Sequence, residues 1–241
     1  MKCKLTLNEG KGVKAHIIPK SFYRIDPKQN KLIKLYRNKE GHYPQRAPNG
    51  IYDENIVTED GEKIFQSWDN YGYELLIQRF GEHEKLVQNH KLTGFQIKNY
   101  DYKKLKLFFL SILWRVGVSN HKFCSGVILG PYEELLRRRL LDSDPGSSKD
   151  LAVLVERWVD SDLYGSFLNP HKEKIDGITF YRLYLANYVV YVKADKRKTP
   201  DKMSRVQMTS GRPLLIIGKN YKNSKELSFM AGMVHSSAKR D

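Results

Sequence analysis

One histidine offers a side chain of near-neutral pKa in a setting where it could act as a base. His16 lies in Lys14-Ala15-His16-Ile17-Ile18-Pro19-Lys20, between a basic, glycine-broken turn and two β-branched residues cut off by proline. Taken alone, it reads as the end of a buried strand whose ring is satisfied by the backbone, because most histidines perform no chemistry. Further along, Asp53-Glu54 and then Glu59-Asp60 with Glu62 gather carboxylates close to a helix start. Favourable interaction of acids with a helix N-terminus is one explanation for them; a site is the other. Several catalytic templates are absent: no glycine-rich phosphate loop, no G-x-S-x-G elbow and no H-E-x-x-H pair.

The elements that must position these residues can be read in outline. Val13 to Ile18 reads as a short strand ended by Pro19, and residues 21–50 as a strand pair with loops. A helix is expected from about Asp60 to Arg79, with Ile64, Phe65, Trp68, Tyr71, Leu75 and Leu76 at three- and four-residue spacings. Gly72 weakens it and Gly81 is a stop. Asp101 to Val116 is the clearest helix, apolar on nearly every side and so central, with Arg115 at its C-terminal end placed to suit the dipole or to reach a partner. Pro131 opens another helix over Tyr132 to Leu141, in which Arg137 and Arg138 are candidate phosphate contacts. Asp144 to Ser148 reads as a linker. Beyond it, Leu151 to Trp158, Ile178 to Leu185, Tyr188 to Lys193 and Pro213 to Ile217 read as strands, with Ala186-Asn187 a tight hairpin. Lys196, Arg197 and Lys198 lie in a basic loop, and a short helix around Glu226 to Val234 follows. The expected architecture is α+β: an N-terminal module over 1–81, a helical region over 82–146, and an antiparallel sheet over 147–241.

The chain has 241 residues and a net charge of +15, unevenly spread. Residues 1–50 hold twelve Lys/Arg against three acids, and residues 51–100 hold five against nine. Such a basic chain is drawn to polyanions, nucleic acid above all. No apolar run approaches a membrane span, the start lacks a hydrophobic signal core, and two cysteines make no disulfide framework. A cytoplasmic protein is expected.

Two stretches together resemble the HNH, or His-Me finger, endonucleases, and most closely the bacterial branch with a Ser-His-Ile-Ile-Pro-Lys type motif. Residues 13–24, Val-Lys-Ala-His-Ile-Ile-Pro-Lys-Ser-Phe-Tyr-Arg, match that motif with alanine in the serine position. Residues 55–69, Asn-Ile-Val-Thr-Glu-Asp-Gly-Glu-Lys-Ile-Phe-Gln-Ser-Trp-Asp, match the second without a gap, and residues 101–141 are similar to the region that follows. The resemblance implies a ββα-metal module holding one divalent cation such as Mg²⁺ or Mn²⁺. It implies His16 as general base, Asn55 as a loop-fixing residue or ligand, and Glu62 as the metal-facing residue at the helix start. DNA is the expected substrate, with Lys14, Lys20, Arg24, Arg137, Arg138, Lys196, Arg197 and Lys198 as candidate backbone contacts.

The chain departs from the family pattern at named positions. Relatives carry four knuckle cysteines, but Thr6, Thr58 and Gly61 stand beside Cys3 here, so no structural zinc is expected. Ala15 stands where many HNH enzymes have an acidic ligand. Three readings therefore stay open: a metal-dependent nuclease, a module of the same fold that binds nucleic acid or a protein partner without cutting, or an interaction subunit of a defence or mobile-element system. The resemblance also points to phage-defence and mobile-element systems.

Overall fold

The computed structural model describes residues 1–23, 33–37, 43–161 and 166–238. The chain starts with a knuckle over residues 1–12, then β1 (Ala15–His16), β2 (Lys34–Tyr36), β3 (Gln45–Arg46), β4 (Tyr52–Asp53) and α1 (Glu59–Tyr73). A π-helical turn (Glu74–Gln78) prolongs α1, so the helix expected to Arg79 is present with its last turn widened. β5 (Glu84–Gln88), β6 (Lys91–Ile97), α2 (Tyr102–Val118) and α3 (Pro131–Leu141) follow. The remaining elements are β7 (Val153–Trp158), β8 (Ser166–Leu168), β9 (His171–Ile175), β10 (Ile178–Leu185), β11 (Tyr188–Lys193), α4 (Asp201–Ser204), β12 (Leu214–Lys219) and α5 (Lys225–Ala238).

The α+β class holds, with one large mixed sheet where an antiparallel one was expected. Seven strands run in the order β5-β6-β12-β7-β11-β10-β9. β12 inserts between β6 and β7, antiparallel to the first and parallel to the second. Two of the seven strands come from the stretch read as helical. Residues 84–97 fold as a hairpin whose turn residues Asn89 and His90 both take positive φ, 49° and 59°, the backbone a two-residue hairpin needs. Asn-His lacks the glycine that normally announces such a turn, and Val87 is exposed, so little apolar alternation marks β5.

α2 explains the packing. Thirteen of its residues are buried, and Asp101 caps it by accepting the Lys104 amide at 2.9 Å. α1 crosses it where Gly72 meets Phe108: a Cβ at Gly72 would lie 2.7 Å from the ring. The glycine that looked like a helix weakness is the point of closest approach. One apolar core runs from Cys3 and Phe65 through α2 to Val155, Val190 and Ile216 on one sheet face. A second, smaller core around Trp158, Phe180 and Tyr191 covers the other face under α5. The Asp144–Ser148 stretch is tied to this framework by buried Lys106, which donates to the carbonyls of Ser147 and Asp150 at 2.6 and 2.8 Å. Burial lowers the Lys106 pKa to about 7. Among the described residues no helix is long and apolar enough to cross a membrane.

Candidate functional site

β1 and β4 pair antiparallel, Ala15 with Asp53 and His16 with Tyr52, and the chain then enters α1. Pairing continues loosely past the strands: Val13 N donates to Val57 O and Glu59 N to Lys11 O. The result is a short two-stranded ribbon laid beside one helix. On α1, Glu62, Gln66, Asp69 and Asn70 fall at helical spacing on a single face. With His16 and Lys20 they line a cleft of about 550 Å³.

His16 is half-buried, and Nε2 donates to the carbonyl of Asn49 at 3.2 Å. A carbonyl only accepts, so the bond assigns the proton to Nε2 and leaves Nδ1 with the lone pair. Burial lowers the ring's pKa below its ordinary 6.5, helped by the Lys20 and Arg115 charges and opposed by the Asn49 bond and Asp69. His16 is thus neutral at pH 7 and able to accept a proton. Tyr52 stands beside it, ring centroids 6.2 Å apart.

Glu62 faces the same cleft. Its Oε2 is buried with no hydrogen-bond partner among the described residues. Burial raises its pKa, and the Asp69 charge adds to that while Arg115 works against it. Asp69 is engaged differently. Arg115, fully buried on α2, grips it with NH2 at 2.7 Å and NH1 at 3.0 Å. NH1 also donates to the His16 carbonyl at 2.9 Å, while Nε and NH2 donate to the Ser111 carbonyl and hydroxyl. These five bonds match the five N–H groups of a guanidinium. Arg115 therefore fastens β1, α1 and α2 to one another directly behind the cleft. A second tie comes from Asp53, whose Oδ2 accepts from Ser119 Oγ at 2.7 Å and from the Asn120 amide at 3.0 Å.

Asn55 is exposed at the turn after β4, where its amide donates to Asp53 Oδ1 at 2.9 Å. It does not line the cleft, so the structure brings His16 and Glu62 together without Asn55. Asp69 and Arg115 were missed as site residues. Asp69 had a signal, its seven-residue spacing from Glu62 on one helix face; the Arg115 contacts join residues far apart in sequence.

The basic candidates divide by partner. Lys20 is exposed at the cleft and makes no ion pair among the described residues. Lys14 pairs with Glu54 at 3.3 Å and lies over the Tyr52 ring. Arg24 lies outside the described residues. Arg137 and Arg138 share Glu134, and Arg137 also donates to the Leu5 carbonyl at 2.8 Å, which ties α3 to the N-terminal knuckle. Arg197 is held by Asp195 and Lys198 by Asp201, while Lys196 is exposed.

The four knuckle positions gather around one thiol. Cys3 Sγ accepts the Thr6 amide at 3.4 Å, and a Cβ at Gly61 would lie 2.8 Å from the sulfur. Burial opposes ionisation of Cys3, but hydrogen bonds from Thr6 and Thr58 outweigh it and lower its pKa. Cys124 is no activated nucleophile, since burial pushes its thiol up to about 12. Among the described residues no group of three or more His, Cys, Asp or Glu is placed to hold a metal ion. Comparison with protein-family models, with curated proteins and with solved structures gives no match.

Proposed function

We propose that the chain is a metal-dependent nuclease of the HNH type, hydrolysing phosphodiester bonds of DNA at the cleft between β1 and α1. The observation that carries this reading is the pairing of a neutral His16, its Nδ1 carrying the lone pair, with Glu62 Oε2, which has no partner among the described residues, in one cleft that Lys20 borders. Phosphodiester hydrolysis needs a base near neutral pKa and a cation to offset charge on the phosphate.

The residues fit a cation with mainly oxygen ligands. Glu62 offers a buried carboxylate oxygen with no other partner among the described residues, and Mg²⁺ is commonly held by one or two carboxylates with water and substrate phosphate completing its shell. When bound, such an ion polarises a phosphoryl oxygen and stabilises the leaving oxygen. Asp69, gripped by Arg115, positions the helix and adds negative charge behind Glu62. His16 Nδ1 accepts a proton from the attacking water, with the ring held in register by Asn49. Lys20 attracts and holds the phosphate backbone.

A second reading, a module of this fold that binds nucleic acid or a protein without cutting, draws support from Thr6, Thr58 and Gly61 around Cys3 and from Ala15 beside His16. The experiment that separates them incubates wild type and His16→Ala with plasmid DNA, single-stranded DNA and RNA, each with Mg²⁺, Mn²⁺ or EDTA. Nicking of DNA that needs metal and disappears in H16A supports the enzyme. Retention without cleavage in every condition supports the binding module.

A further inference from the structure

The sheet face away from α1 and α2 carries a polar row unrelated to the cleft. Five adjacent strands each contribute one residue: Lys219 from β12, Glu156 from β7, Tyr191 from β11, Arg182 from β10 and Glu173 from β9. They line a cavity of about 580 Å³, together with Lys225 and Glu226 at the start of α5. Arg182 is 2% exposed and lies between Glu173, at 3.3 Å, and Glu226. Its Nε is buried with no partner among the described residues. Glu173 also accepts from Lys225 at 2.5 Å, and Lys219 lies 2.8 Å from Glu156.

Stability alone does not account for this assembly. Apolar residues of similar volume would hold α5 to the sheet at least as well, because burying ion pairs costs desolvation. A cavity of this size with convergent polar groups suits a small ligand. The chemistry then narrows the occupant. Three cations face three carboxylates, so the lining offers hydrogen-bond donors and acceptors together rather than one dominant charge. Carboxylates only accept and guanidinium only donates, whereas a hydroxyl satisfies both. At the rim, Lys219 and Lys225 have side chains 40% and 63% exposed and each makes one ion pair, which leaves ammonium donors free for an anion.

We propose that this cavity binds a phosphorylated polyhydroxyl compound, with its hydroxyls on Glu156, Glu173 and Arg182 and its phosphate at Lys219 and Lys225. Sugar phosphates and nucleoside monophosphates share that chemistry, and the test separates them. Isothermal titration calorimetry on the full chain compares ribose 5-phosphate, AMP, ribose and inorganic phosphate. The two phosphorylated pentoses are expected to bind with Kd below about 1 mM, roughly tenfold or more tighter than ribose or phosphate alone. Affinity for AMP above that for ribose 5-phosphate assigns the nucleotide; equal affinity assigns the sugar phosphate. Lys219→Met, at a partly exposed side chain, and Glu156→Gln, which keeps the shape, each weaken binding by about tenfold. Asn223→Ala, at an exposed rim position, gives a smaller loss without touching the buried network. His16→Ala leaves binding unchanged, so this result is independent of the nuclease reading. No binding of either ligand at millimolar concentration, binding no tighter than inorganic phosphate, or binding unaffected by K219M and E156Q overturns the proposal.

Discussion

At the scale of the residue, Glu62 is costly to the fold, and the proposed nuclease gives that cost a use. Its raised pKa means that the folded chain holds the proton more tightly than the unfolded one. Stability is therefore lost as pH rises from the ordinary carboxylate value of 4.5 through the raised one. Glu62→Gln keeps the shape and removes the buried charge. It should gain about 1 kcal/mol at pH 7 in denaturant unfolding, with the gain vanishing in acid, while metal-dependent cleavage falls. A substitution that destabilised the protein and left cleavage intact would contradict this assignment. His16 gives a second expectation. Its pKa is lowered, so the neutral ring persists to a pH below 6.5. The acid limb of the cleavage rate should break below that value, and an acid limb above it would count against His16 as the base.

At the scale of the element, the cleft depends on α2, which contributes no side chain to its lining. Arg115→Met leaves Asp69 without its partner and should cost ~3–5 kcal/mol. The double substitution Arg115→Met with Asp69→Leu should recover much of that loss, because the uncompensated charge is gone. Chemical denaturation of wild type, the two single variants and the double variant measures the coupling, and additive losses would show that the pair is not a unit. Gly72→Ala sets a helix-propensity gain of about 1 kcal/mol against a Cβ 2.7 Å from the Phe108 ring. Phe108 sits on the buried face of α2, so overpacking should win and the melting temperature fall.

The same elements show what was legible in the sequence. α2 and α3 were readable because their apolar spacing, the proline at the start of α3 and the acids after it all lie within one segment. β1 and α1 were readable from their own segments, the first from the proline that ends it and the second from its apolar spacing. β5 and β6 were not, since their turn lacks glycine and half of their residues are polar. The parallel pairing of β12 with β7 was not, since no local pattern records which strand a later one inserts beside. At the cleft, His16 and Glu62 were named through the resemblance of their two segments, whereas Arg115 reaches β1 and α1 across long sequence separations.

At the scale of the whole molecule, the charge of +15 does not act as a uniform field. Arg137, Arg197 and Lys198 are engaged within the fold, whereas Lys20 is exposed beside the cleft. Binding to a short DNA duplex should therefore weaken steeply with salt, and Lys20→Ala should reduce the slope of log K against log salt by about 1. Arg137→Ala should instead lower thermal stability and leave the slope nearly unchanged. Equal slopes for K20A and wild type would remove Lys20 from the interface. The central claim is that His16 is a base in a phosphodiesterase cleft, and imidazole rescue tests it most directly. His16→Gly should lose metal-dependent plasmid nicking and regain it in proportion to added neutral imidazole. Nicking by His16→Gly at the wild-type rate without imidazole would contradict the claim.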